Sequence, residues 1–201
     1  VRYISNRSSG KMGYAIAEAA RRRGASVTLV SGPVSIAAAT GVDVVPVESA
    51  AEMKAAMETA LATADIVVMC AAVADYRVME PAERKIKKTA EDLSLKLVRN
   101  PDILEGLGRA KSSRQILVGF AAETHDVVAY AAEKLRRKNA DLFVANDVSR
   151  GDIGFGAEEN EVQLLFADGA TRKIEKASKI RIASAILDAA RDLHQARSAT
   201  A

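Results

Sequence analysis

The residues with the clearest chemical use lie in Ser5-Asn6-Arg7-Ser8-Ser9-Gly10-Lys11-Met12-Gly13-Tyr14, a polar, glycine-punctuated loop opening directly onto an Ala-rich helical pattern. The first turn of a helix leaves backbone N–H groups without intrahelical acceptors, and the helix dipole places partial positive charge there, which favours phosphate or carboxylate. The hydroxyls of Ser8 and Ser9 and the ammonium of Lys11 add donors around Gly10, while Asn6 and Arg7 can hold an amide or carboxylate in a fixed orientation. The same Ser-Ser-Gly sequence also suits an ordinary helix cap.

A second set of residues sits where strands should run out. Ala71-Ala72-Val73-Ala74-Asp75-Tyr76 follows the apolar run from Asp65, Gly119-Phe120-Ala121-Ala122-Glu123-Thr124 follows Ile116, and Ala145-Asn146-Asp147 closes the run from Leu142. Small residues there let a ligand reach main-chain donors and acceptors, with Asp75 and Asn146 adding polar side chains; the alanines equally suit tight strand-to-helix packing. Arg84-Lys85-Ile86-Lys87-Lys88 can close over a phosphorylated substrate and neutralise charge as pyrophosphate leaves, or simply solvate a surface. Lys134 and Lys138, one helical turn apart, can reach a further phosphate or face solvent. Tyr130 and Lys134 also reproduce the Tyr-x-x-x-Lys spacing of short-chain dehydrogenases, in which the lysine lowers the tyrosine pKa. Against a nicotinamide-dependent reductase, Gly10 and Gly13 have no third glycine in register, and Val30 is followed by Ser31-Gly32-Pro33 instead of an acid for a ribose.

Composition narrows the classes. The chain has 201 residues, 49% of them hydrophobic, enough for one domain with a real core. No apolar run reaches the ~20 residues of a membrane span. The start, Val1-Arg2-Tyr3-Ile4-Ser5, lacks a basic segment followed by an apolar stretch, so a cytoplasmic location is expected, and the absence of an initial Met suggests residues upstream. The one cysteine, Cys70, excludes an intrachain disulfide and ends an apolar run, where an inert thiol is expected. With two histidines and no cysteine cluster, a transition-metal site is not expected; a metal would arrive with a phosphate-bearing ligand, its protein ligands unknown. Net charge is only +3 and aromatic residues make up 4%, which argues against nucleic-acid binding.

Placing the candidate groups requires a particular frame. Helical spacing from Gly10 to about Gly24, a strand at Ser26 to Val30, a short strand at Val42 to Val47 and a helix from Ser49 to about Thr63, capped by Ser49 with Glu52 three residues on, alternate along the chain. Asp65 to Cys70, Ile116 to Phe120 and Leu142 to Ala145 read as buried parallel strands, with helices near Pro101 to Ala110 and His125 to Lys138. The fold class is α/β, Rossmann-like and doubly wound, with a mostly parallel sheet covered by helices on both faces and ligands at the strands' carboxyl ends. Residues 76–98 read as a β excursion with a basic flap and a strand at Leu93 to Leu97. Asp168-Gly169 marks a C-terminal hairpin between Glu161 to Phe166 and Thr171 to Ile174, before a last helix from about Ser178 to Leu193 and a frayed end at Ser198 to Ala201. Because such folds open with a strand leading into the Gly-rich loop, a strand is expected ahead of Arg2.

In order along nearly the whole chain, Arg2 to Gly13, Ala71 to Tyr76, Lys85-Ile86-Lys87-Lys88, Asn100-Pro101-Asp102-Ile103, Gly119 to Thr124 and Ala145 to Asp147 closely resemble the phosphopantothenoylcysteine synthetase family. The resemblance is to the bacterial form, the C-terminal half of a bifunctional coenzyme A biosynthesis protein whose N-terminal half is a flavin-dependent decarboxylase. It implies that CTP, with Mg²⁺, activates the carboxylate of 4′-phosphopantothenate as an acyl-cytidylate, releasing pyrophosphate, and that L-cysteine then attacks to give the amide and CMP. Flavin would belong only to the decarboxylase half, fused or associated. By motif match, Asn6 would hold the carboxylate and acyl-cytidylate, Lys85 would assist cytidylate formation, and Arg2 and Ala72 would join the substrate site. The nucleotide contacts would be Met69, Cys70, Ala71, Asp75, Lys85, Pro101, Asp102, Ile103, Leu104, Phe120, Lys134 and Lys138; our own reading of the helix N-terminus adds Ser8, Ser9 and Gly10 for the triphosphate. The resemblance also implies a homodimer in which the lysine loop reaches over the partner's site. A non-catalytic nucleotide-binding or dimerisation module is the alternative outside enzymes.

Overall fold

The computed structural model describes residues 3–82, 84–86, 93–123, 127–147 and 157–199. Helix α1 (Lys11–Arg22) starts after Gly10, whose backbone is left-handed, and stops before Gly24, left-handed too. It buries Ile16, Ala17 and Ala19. Strand β1 (Thr28–Ser31) follows and pairs in parallel with β2 (Asp43–Pro46). Helix α2 (Ala50–Leu61) begins at the expected cap: the Ser49 hydroxyl accepts from the Glu52 N–H, and the Glu52 carboxylate accepts from the Glu48 N–H. The first bond satisfies a first-turn donor of α2, and the second ties the residue ahead of the cap to the same turn.

Strand β3 (Ile66–Met69) comes next, then a small antiparallel pair, β4 (Tyr76–Val78) with β5 (Leu97–Arg99). Helix α3 (Ile103–Ala110), strand β6 (Ile116–Glu123), helix α4 (Val127–Arg137) and strand β7 (Leu142–Asp147) continue the alternation. Strands β8 (Glu159–Phe166) and β9 (Thr171–Ser178) form the hairpin anticipated at Asp168-Gly169, and helix α5 (Lys179–Ala199) ends the chain's described part.

The main sheet has the order β3-β6-β7-β8-β9, parallel from β3 to β7 and antiparallel through the hairpin. The pair β1-β2 forms a separate sheet among the described residues. Strand alternation splits the core into two layers. Leu117, Phe143 and Ala145 pack with Met53 and Leu61 of α2, Leu107 of α3 and Leu135 of α4. Their neighbours Ile116, Val118, Leu142 and Val144 pack on the other face with Ile16 of α1 and Ile182 and Ile186 of α5. The sheet is thus covered on both sides, as expected for strands whose apolar runs are continuous.

Two expectations change. The alternating Leu93 to Leu97 segment is not a strand except at Leu97; Leu93 and Leu95 are 65% and 47% exposed, so no sheet face buries that stripe. The last helix runs beyond Leu193 and includes Ser198, because Arg197 donates to the Gln115 carbonyl at 2.8 Å and pairs with buried Asp141, tying the final turn to the foot of the sheet. No helix among the described residues is long and apolar enough to cross a membrane.

Candidate active site

The ends of β3 and β6, the loop after β3, the start of α3 and the residues just past α4 enclose a cavity of about 370 Å³. It opens at the carboxyl ends of the parallel strands, where doubly wound sheets bind ligands. Met69, Ala71 and Asp75 line it from β3 and its loop; Pro101, Asp102, Ile103 and Leu104 line it from the start of α3. Phe120 closes it from β6 and Lys138 from the end of α4.

The loop after β3 is fastened from two directions. Asn6 Nδ2 donates to the Val73 carbonyl at 3.1 Å, which brings the N-terminal loop against a cavity wall. Asn100 Nδ2 donates to the Ala74 carbonyl at 2.8 Å, and the Asn100 N–H donates to the Asp75 carbonyl at 2.8 Å. Arg77 in turn donates to the Arg99 carbonyl at 2.6 Å and to Asn100 Oδ1 at 3.3 Å. The short, Ala-rich loop is therefore held at its carbonyls by amides from Asn6 and Asn100.

Lys138 is 7% exposed, and its ammonium is paired with Asp102 and with Glu105, the latter at 2.9 Å. Asp102 also caps α3: its Oδ1 accepts from the Glu105 N–H at 3.0 Å. Burial works against the Asp102 carboxylate, but Lys138, the Glu105 N–H and nearby Arg137 outweigh it and hold the group below its ordinary pKa. The Lys138 ammonium likewise holds Glu105 below its ordinary value, with Arg109 contributing.

Other expected residues lie elsewhere. Cys70, next to Met69, does not line the cavity; it packs toward the α1 and α5 layer, where burial pushes its thiol up to about 12 against the pull of Lys179. Lys134 is half-buried on α4 and Ala72 half-buried beside Ala71, and neither lines the cavity; Lys85 is exposed and does not line it either. Arg2, Lys87 and Lys88 fall outside the described residues. At the start of α1, Ser8 Oγ accepts from the Gly10 N–H at 3.3 Å and Ser9 Oγ from the Lys11 N–H at 3.4 Å, so these hydroxyls serve the turn itself. Gly10 is left-handed there, and a Cβ on it would stand 2.9 Å from Val34. Lys11, read from the sequence as an anion donor, is ion-paired with Glu158, whose carboxyl it holds below the ordinary value. Tyr130, the would-be dehydrogenase tyrosine, is 41% exposed on α4 and outside the cavity.

The sequence alone did not single out Glu105, Arg99 or Arg137 as lining residues. For Glu105 the signal was present: an acid three residues after the α3 cap. Arg137 stands beside Lys138, and only the close approach of two helices makes that position matter.

Residues 1–193 match the family described as the DNA/pantothenate metabolism flavoprotein C-terminal domain. The chain belongs to this family. It is 50% identical over 189 residues to the coenzyme A biosynthesis bifunctional protein CoaBC of Haemophilus influenzae, a match covering 94% of this chain and 46% of that protein. The chain thus spans about half the length of the curated relatives it matches. Among solved structures, the C-terminal domain of a coenzyme A biosynthesis bifunctional protein CoaBC superposes with a TM-score of 0.82 at 39% identity, covering 97% of this chain and 88% of that one. A Cab2 H337A mutant in complex with phosphopantothenate-cysteine superposes at 0.76 with 17% identity, covering 100% and 82%, and shares the fold.

Proposed function

We propose that this member of the family is the CTP-dependent ligase that joins 4′-phosphopantothenate to L-cysteine in coenzyme A biosynthesis. The observation that carries the reading is the cavity at the strand ends: Met69, Ala71, Asp75, the Pro101 to Leu104 turn, Phe120 and Lys138 line one space, with Asn6 tied to its wall. That space has main chain on one side for a base and a buried cation on the other for phosphate. Acyl-cytidylate formation needs an oriented carboxylate, a held phosphate and stabilised oxyanions more than a protein nucleophile. Asn6 supplies the orienting amide, and Lys85 on its exposed segment closes over the site to neutralise departing pyrophosphate. Cysteine then attacks the activated carbonyl and CMP leaves.

Asp75 is the cavity carboxylate outside the Lys138 cluster, and among the described residues no group of three or more His, Cys, Asp or Glu forms a metal cage. One carboxylate plus ligand phosphates is an ordinary donor set for Mg²⁺, so these residues fit an ion that enters with nucleotide. When bound, such an ion neutralises phosphate charge.

The proposal includes a homodimer. Tyr76, Met79, Leu93, Leu95 and Leu97 expose apolar surface around β4 and β5, next to the flap, where a second copy would cover it. It also includes pairing with a flavin-dependent decarboxylase. Calorimetric titration tests the nucleotide assignment: CTP should bind more tightly than UTP or ATP, and Phe120→Ala should weaken CTP binding about tenfold if that ring packs against the ligand. Equal binding of all three nucleotides, unchanged by the substitution, contradicts it.

A further inference from the structure

Lys138 is a lysine whose freedom has been removed. Its side chain is 8% exposed, and its ammonium faces two carboxylates one helical turn apart on α3. We propose that Asp102 and Glu105 are positioning residues which hold the Lys138 ammonium at the cavity wall, pre-set for a phosphate of the incoming nucleotide; this rests on the CTP reading above.

The four carboxylate oxygens are divided in a way that suits this role. Asp102 uses Oδ1 to cap α3 and Oδ2 for Lys138. Glu105 uses Oε1 for Arg109 and Oε2 for Lys138. The lysine is thus held by a carboxylate that the helix start fixes and by a second that also pairs with Arg109, an exposed arginine on the next turn. The backbone is fixed as well. Lys138 O lies so close to Gly108 that a Cβ there would be 1.9 Å from it, and Asn139, in a left-handed backbone conformation, donates from Nδ2 to the Gly108 carbonyl at 2.7 Å. Helices α3 and α4 are therefore pinned about one turn along α3 from Glu105, which lines the cavity.

A long, flexible lysine gives up rotamer freedom when it binds phosphate; one already held by charge-assisted hydrogen bonds has lost it beforehand. Both carboxyl groups sit below their ordinary pKa, so they stay ionised through the neutral range. The clamp is a constant feature of the site at working pH.

The test uses the full-length protein. Asp102→Asn keeps a helix-capping acceptor and Glu105→Gln keeps the side chain's shape, while each removes the charge. Together they are expected to raise KM for CTP about tenfold, with a much smaller change in KM for 4′-phosphopantothenate. On a Lys138→Met background, itself expected to weaken CTP binding, the same two changes should add nothing, because they act through that lysine. An additive loss on that background, a lowered KM for CTP, a parallel loss in every kinetic parameter with falling thermal stability, or a Lys138→Met protein with normal CTP affinity overturns the proposal. If the unaltered protein releases no pyrophosphate from CTP in the presence of 4′-phosphopantothenate, it is the ligase reading that has failed. Calorimetric binding of inorganic tripolyphosphate then decides the clamp separately: weaker binding in the double variant supports it, and equal binding overturns it.

Discussion

At the level of single residues, two side chains separate the chemistry from its surroundings. The Asn6 amide reaches the Val73 carbonyl, so its position depends on the cavity wall and not on its own exposed loop. Asn6→Asp would place a carboxylate against that carbonyl and against a substrate carboxylate. Amide formation is expected to fall on the order of a hundredfold, the scale seen when an oriented donor is lost, with CTP affinity within about twofold. Single-turnover measurement of amide formation checks this; an unaltered rate removes Asn6 from the mechanism. Cys70 makes the opposite case. Cys70 is half-buried, and desolvation against the α1 and α5 layer pushes its thiol up to about 12, so it stays protonated at neutral pH and is a poor nucleophile. The folded value lies above the ordinary one, so the associated stability is complete below the ordinary thiol pKa and is lost as pH climbs from about 9 toward about 12. Reaction with a disulfide reagent at pH 8 should be slow in the native protein and fast in denaturant; equal rates would contradict that desolvation.

At the level of elements, α3 carries a paired test. Gly108 stands where a Cβ would meet the Lys138 carbonyl, a backbone atom that cannot swing away, while Gly106 on the same helix has open space around it. Gly108→Ala should destabilise the fold by about 1–3 kcal/mol. Gly106→Ala should stabilise it by about 0.5–1 kcal/mol, since alanine is the better helix former. Urea midpoints of the two variants check both signs. These elements also show what could be read from the residues alone. The runs at Ile66, Ile116 and Leu142 were legible as buried strands because both faces are covered, leaving no polar position to blur them. The Ser49 and Glu52 cap was legible because its partners are three residues apart. The Leu93 to Leu97 alternation misled, since the same pattern marks an apolar stripe left on the surface. The Glu105 and Lys138 pairing was not readable, because residues 33 positions apart meet only once α3 and α4 pack.

For the whole molecule, the site sits at one end of the sheet and a buried ionic lock at the other. Asp141 is 4% exposed and accepts from Lys111 at 2.9 Å, from the Leu117 N–H at 2.7 Å and from Arg197 near the end of α5. It joins the foot of β6, the start of β7 and the last helix, which is why α5 stays ordered further than its apolar pattern suggested. Asp141→Ala leaves Lys111, 8% exposed, without its carboxylate and should cost about 3–5 kcal/mol, read as a lowered unfolding midpoint. Asp141 and Lys111 do not line the cavity, so surviving folded protein should keep its CTP affinity. The central claim concerns the other end. The measurement that tests it most directly is pyrophosphate release from CTP and Mg²⁺ with 4′-phosphopantothenate, followed before and after L-cysteine is added. Release that needs both CTP and phosphopantothenate, with amide and CMP appearing only after cysteine, is the predicted result. Release that ignores phosphopantothenate, or none at all from folded protein, would contradict it.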